Sequence, residues 1–123
     1  MANILVVEDE LLLRDVLFET LTGRGYSVSM AGDAEKAMSL AKEVQPDVAL
    51  IDIQLPKESG LSLTIRLKEL YPSLSIIIMT GFPSLDSAVN ALKNGASEYI
   101  IKPFRLVELN NTIKKYLSAE NAL

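Results

Sequence analysis

The chain has 123 residues, enough for one domain (residues 1–123), and 49% of them are hydrophobic, too many for a disordered segment. Its formal net charge of −4 argues against direct nucleic-acid binding, which needs a basic face. The sequence holds neither cysteine nor histidine, which excludes disulfides, thiolate nucleophiles, imidazole bases and soft metal sites; any metal must be held by oxygens, as a hard cation such as Mg²⁺ is.

Met1-Ala2-Asn3-Ile4 lacks the basic start and small-residue cleavage site of a signal peptide, and no apolar run approaches the length of a membrane span. The expectation is a soluble, cytoplasmic protein with no membrane partner. Asn3 to Val7 is an apolar run that ends abruptly at Glu8-Asp9 and predicts a first strand. Glu10 to Leu21 carries Leu13, Val16, Leu17 and Leu21 at helical spacing, and Gly23 and Gly25 stop that helix. Tyr26 to Met30 alternates and predicts the second strand; Asp33 caps a helix that runs to Val44, and Pro46 ends it.

Val48 to Ile53 predicts a third strand, apolar throughout except for Asp52. Ser59-Gly60 leads a helix to about Leu70, and Leu74 to Met79 is a fourth apolar strand. Thr80-Gly81-Phe82-Pro83 is a loop before a helix from Ser84 to Lys93, which Asn94-Gly95 closes. Glu98 to Ile101 is a fifth strand, Lys102-Pro103 a turn, and Phe104 to Leu117 the last helix. Strict alternation of apolar strands with helices predicts an α/β fold, a doubly wound five-stranded parallel sheet covered on both faces.

In such a sheet every strand ends on the same edge, where ligands bind. Glu8-Asp9, Asp52, Thr80 and Lys102 all fall there. Taken singly, each has a plain structural reading: Asp9 as a helix cap, Glu8 as a solvated charge, Thr80 bonded to local backbone, Lys102 on the surface. Asp52 is the hardest to treat so, because a carboxylate among apolar neighbours needs a cation or donors. Three clustered carboxylates repel one another, and a divalent cation removes that conflict. Lys102 and Thr80 offer an ammonium and a hydroxyl to a phosphoryl group, and Asp52 is a plausible acceptor of it.

The set Glu8-Asp9, Asp52 with Pro56 and Gly60, Thr80-Gly81 and Lys102-Pro103 resembles the receiver domain of bacterial two-component response regulators over essentially the whole chain. Thr80 to Phe104 looks most like receivers of NtrC-type, sigma-54-dependent regulators. The resemblance implies a flavodoxin-like (β/α)5 fold with strand order 2-1-3-4-5. It implies that Asp52 is phosphorylated from the phosphohistidine of a sensor histidine kinase, and that the domain catalyses only its own phosphorylation and autodephosphorylation. It implies Mg²⁺ held by Asp9, Asp52 and the Gln54 carbonyl, with Glu8 acting through water, and a phosphoryl group gripped by Thr80 and Lys102. It also implies a cis Lys102-Pro103 bond that aims the lysine.

The implied switch moves Thr80 toward the phosphoryl group and turns Tyr99 inward. That reshapes the face of the fourth helix, fifth strand and fifth helix, where an output domain, a protein partner or a second copy docks. The plain alternative for Tyr99 is a half-buried strand tyrosine. Three rivals remain. A haloacid-dehalogenase-like phosphatase carries an acidic residue where this chain has Gln54; a flavodoxin needs a phosphate-cradling first loop where this chain has Glu8-Asp9; a degenerate receiver acting as a phosphorylation-independent binding module lacks some of the acids present here. The sequence ends after the last helix without an output domain. That fits a single-domain regulator or a receiver cut from a longer transcription regulator, and the NtrC-like stretch favours the second.

Overall fold

The computed structural model describes residues 2–121; Met1, Ala122 and Leu123, parts of the termini considered above, lie outside them. Five strands alternate with five helices: β1 (Asn3–Val7), α1 (Leu11–Gly23), β2 (Ser27–Ala31), α2 (Ala34–Val44), β3 (Val48–Asp52), α3 (Gly60–Leu70), β4 (Ser75–Thr80), α4 (Leu85–Lys93), β5 (Glu98–Ile101) and α5 (Leu106–Asn121). The strands form one sheet in the order β2-β1-β3-β4-β5, and every neighbouring pair is parallel.

Strand alternation sorts the core into two layers. Leu5, Val7, Ala49, Ile51, Ile76 and Ile78 face α2, α3 and Ala91 of α4. Ile4, Val6, Val48, Leu50, Ile77, Met79 and Ile100 face Leu17 and Leu21 of α1 and Leu109 and Ile113 of α5. The central strand β3 is buried along its whole length, which explains its unbroken apolar run and makes the ionisable residue at its end the exception.

Three helices begin on the side chain that the sequence nominates. Asp33, Ser59 and Ser84 accept hydrogen bonds from the amides of Lys36, Ser62 and Ser87. Where boundaries differ from the sequence reading, a backbone amide has been taken by a turn. Tyr26 N donates to Leu21 O, closing α1, so β2 starts at Ser27. Leu74 N donates to Tyr71 O, so β4 starts at Ser75 and takes in Thr80. Helix α1 runs on to Gly23, past Leu21, because the amides of Arg24 and Gly25 bond back to Leu21 O and Thr22 O, with Gly25 at φ +94°. Helix α5 begins at Leu106 rather than Phe104.

Candidate functional site

Alternation also decides which polar side chains meet. Glu8 continues the face of Ile4 and Val6, Asp52 that of Val48 and Leu50, and Lys102 that of Ile100. All three therefore emerge on the α1/α5 side of the sheet edge. β5 lies two strands from β3, about 10 Å away, and the lysine side chain is long enough to cross β4. Lys102 Nζ lies 2.6 Å from Glu8 Oε1 and 3.1 Å from Asp52 Oδ2. The side chains of Glu8 and Asp52 are 1% and 8% exposed, so the ammonium serves two nearly buried carboxylates.

Local backbone groups complete the shell. Asp52 Oδ1 accepts from Gln54 N at 3.0 Å, and Glu8 Oε2 accepts from Glu10 N at 3.1 Å. Burial pushes the Glu8 carboxyl above the usual range; Lys102 and the Glu10 amide pull it back only in part, and the Asp52 charge adds to the upward push. At Lys102 burial opposes the charge, but hydrogen bonds to Glu8 and Asp52 more than offset it and hold the ammonium above its ordinary value. Gly60 sets the floor beneath Asp52. A Cβ there would collide with the Asp52 carbonyl oxygen and lie 2.8 Å from Ile53 Cα, both backbone atoms.

Asp9 is exposed at the mouth. It does not cap α1, whose N-cap is Glu10 with no side-chain bond. Oxygens of Glu8, Asp9 and Asp52 all lie within 4.8 Å of one another. Mg²⁺ bound at about 2.0–2.1 Å would space octahedral ligand oxygens by roughly 3–4 Å, so this all-oxygen set fits a hard cation. The surrounding cleft holds about 580 Å³; Gln54, Pro56, Gly81 and Phe82 line it, together with Glu10 and Leu55, which sequence reasoning did not single out.

Thr80 is placed differently from the other site residues. Alternation puts it with Ile78 on the opposite face of β4, paired with Ile101, and it is fully buried. Its Oγ1 accepts from Phe82 N at 3.1 Å, its carbonyl accepts from Lys102 N at 2.7 Å, and it stands behind the described cleft wall. Tyr99 shares that face; it is half-buried, with a buried hydroxyl that has no hydrogen-bond partner among the described residues. The Lys102-Pro103 bond is cis.

A family model described as the response regulator receiver domain matches residues 4–114. The chain belongs to the response regulator receiver domain family. The receiver is 33% identical over 121 residues to the transcriptional regulatory protein ZraR of Escherichia coli (strain K12), covering 98% of this chain and 27% of that protein. It is 36% identical over 118 residues to the DNA-binding transcriptional regulator NtrC of Azospirillum brasilense, covering 96% of this chain and 24% of that protein. The chain thus spans about a quarter of the length of these curated relatives. Among solved structures, a CheY-like receiver domain protein from Methanospirillum hungatei JF-1 superposes with a TM-score of 0.96 at 31% identity, covering 99% of this chain and 98% of that one. The receiver is the phosphorylation-activated switch of two-component response regulators.

Proposed function

We propose that Asp52 is the phosphoacceptor of this receiver and that the phosphoryl group comes from the phosphohistidine of a sensor histidine kinase. The observation that carries this is the Lys102 ammonium drawn across two strands onto Glu8 and Asp52. An Asp52 carboxylate oxygen forms the new bond to phosphorus, the bond from phosphorus to the donor nitrogen breaks, and its electron pair stays on the imidazole. In autodephosphorylation water attacks the phosphorus, the bond from phosphorus to the Asp52 oxygen breaks with its electron pair left on the carboxylate, and inorganic phosphate departs. Phosphoryl transfer asks for alignment and charge neutralisation more than for a base, in keeping with a chain that has no histidine.

Each residue has a part. Gln54 N holds Asp52 Oδ1, so the carboxylate is oriented before the donor arrives. Lys102 already touches Asp52 Oδ2 and can follow the charge onto a phosphoryl oxygen. Asp9, Asp52 and the Gln54 carbonyl would hold Mg²⁺, with Glu8 acting through water. The cation would neutralise the acids and the incoming phosphoryl oxygens. Thr80 would donate its hydroxyl to the phosphoryl group.

The same proposal gives the output. Leu85, Val89 and Leu92 of α4, Ile101 of β5 and Val107 of α5 are exposed apolar residues on the face that would meet an output domain, a protein partner or a second copy. Thr80 and Tyr99 lie on the α4 side of the sheet, on the two strands next to that face. Among the described residues no helix is long and apolar enough to cross a membrane, which suits a cytoplasmic switch. Incubation with acetyl phosphate and Mg²⁺, then borohydride reduction and peptide mapping, tests the site. The reduced adduct is expected at Asp52; an adduct at Asp9 or Glu8 would overturn the assignment.

A further inference from the structure

Thr80 poses a mechanical problem. Its side chain is fully buried on the face of β4 opposite Asp52, yet the proposed function asks its hydroxyl to reach a group on Asp52. Its backbone is held on the β5 side by the Lys102 amide, 2.7 Å from the Thr80 carbonyl oxygen. Any travel of the hydroxyl must therefore come from rotation about the side chain and rearrangement of the following turn, not from sliding β4. What holds the hydroxyl in place is the turn itself: Phe82 N donates to Thr80 Oγ1 at 3.1 Å. The turn is otherwise weakly tied. Apart from its chain neighbours, no atom of the described residues lies within 4 Å of the position a Cβ on Gly81 would take, and Phe82 and Leu85 are 72% and 79% exposed.

We propose that the backbone amide of Phe82 is a positioning group that keeps the Thr80 hydroxyl out of the cleft, so that breaking this one hydrogen bond is the local cost of engaging a phosphoryl group. The inference rests on the reading of Asp52 as phosphoacceptor. In the resting arrangement the hydroxyl oxygen accepts from the turn. In the engaged arrangement its proton is donated to a phosphoryl oxygen and the amide turns to solvent. A ligand on Asp52 shifts the balance only by what it gains from the freed hydroxyl.

The test removes the N–H without removing the ring. Incorporating phenyllactic acid at position 82 replaces the amide by an ester of the same shape; Phe82→Pro removes the N–H together with the ring and is read against Phe82→Ala, which removes the ring alone. Phe82→Ala, which keeps the N–H and loses the ring, reports what the ring alone contributes. The probe is beryllium fluoride with Mg²⁺, a phosphoryl mimic, titrated by amide NMR. Loss of one neutral hydrogen bond from the resting state should tighten binding about fivefold in the ester protein relative to the parent, and in Phe82→Pro relative to Phe82→Ala. Phe82→Ala, which loses a cleft-lining ring but keeps the N–H that holds Thr80 Oγ1, should show no such tightening. If Phe82→Pro does not fold, the ester protein decides. Ester binding equal to the parent's would overturn the inference, as would a Phe82→Ala protein that tightens by the same factor. A parent that binds no mimic and takes up no phosphoryl group would overturn the reading of Asp52, and the inference with it.

Discussion

Replacing Lys102 by methionine keeps the side chain's bulk and removes its charge. In the parent that charge lies 2.6 Å from Glu8 and 3.1 Å from Asp52, whose side chains are 1% and 8% exposed. Removing one partner of a buried ion pair costs about 3–5 kcal/mol, because the remaining charges stay buried and unpaired. Against a typical domain stability of about 5–15 kcal/mol this is a large fraction. At roughly 3–6 °C per kcal/mol for a domain of this size, Tm without divalent cation should fall by roughly 9–30 °C. Mg²⁺ should then restore more stability to the variant than it adds to the parent. In the parent the carboxylates must exchange an ammonium for the cation, whereas in the variant they have nothing to give up. An ammonium at about 4 Å opposes a doubly charged cation by roughly 8 kcal/mol at an effective dielectric of about 20, and the 20% exposure of the Lys102 side chain lowers that. The Mg²⁺ dissociation constant should tighten at least about tenfold. Thermal scans across an Mg²⁺ titration read both quantities. A Lys102→Met protein as stable as the parent without Mg²⁺, or one stabilised by Mg²⁺ to the same extent, would refute the claim that this ammonium is the internal counter-ion of the acidic cluster.

Three other outcomes follow from single contacts. Gly60→Ala should cost about 1–3 kcal/mol in urea unfolding and slow phosphoryl uptake, since the new methyl meets the Asp52 and Ile53 backbone rather than a yielding side chain; unchanged uptake would refute the role of Gly60 as the floor of the site. Phe82→Ala should shorten the lifetime of the acyl phosphate, read by the decay of the phosphorylated mass, because the ring on the cleft wall shields phosphorus from water; an unchanged decay would count against that shield. The Tyr116 phenol is pushed up to about 12 by burial and by its hydrogen bond to Glu98; its single hydroxyl proton is shared between Glu98 Oε1 at 2.8 Å and Ser97 O at 2.7 Å. A raised folded-state pKa means that its contribution to stability is complete below the ordinary tyrosine value of about 10 and is lost as pH rises from there through about 12. The stability gap between the parent and Tyr116→Phe should therefore close over that window in urea titrations, and a gap independent of pH would contradict it.

The sheet and the acidic corner were legible because each rested on a repeating pattern with one exception. Apolar strands alternating with helices required a parallel sheet, and Asp52 was the one charge in a run buried on both faces. The caps at Asp33, Ser59 and Ser84 were legible for the same reason, since short polar side chains before apolar periods have few other uses. Thr80 shows where the reasoning stopped. Its position at a strand end was read correctly, but its face depended on the strand's last residue. The sequence reading ended this strand at Met79; β4 ends one residue later, at Thr80, and strand alternation turns the hydroxyl away from the corner that Asp52 and Lys102 share. The left-handed backbone at Gln45 and Lys57 could not be anticipated either, because neither is the glycine that normally announces it. The unpaired Tyr99 hydroxyl depends on packing between layers, which no local pattern encodes.

Intact mass after incubation with acetyl phosphate, with and without Mg²⁺, tests the central claim most directly when the parent is compared with Asp52→Asn. The parent should gain the mass of one phosphoryl group only when Mg²⁺ is present, and the variant should gain none. A parent that stays unmodified with Mg²⁺, or a variant modified to the same extent, would contradict the assignment of Asp52 as the acceptor.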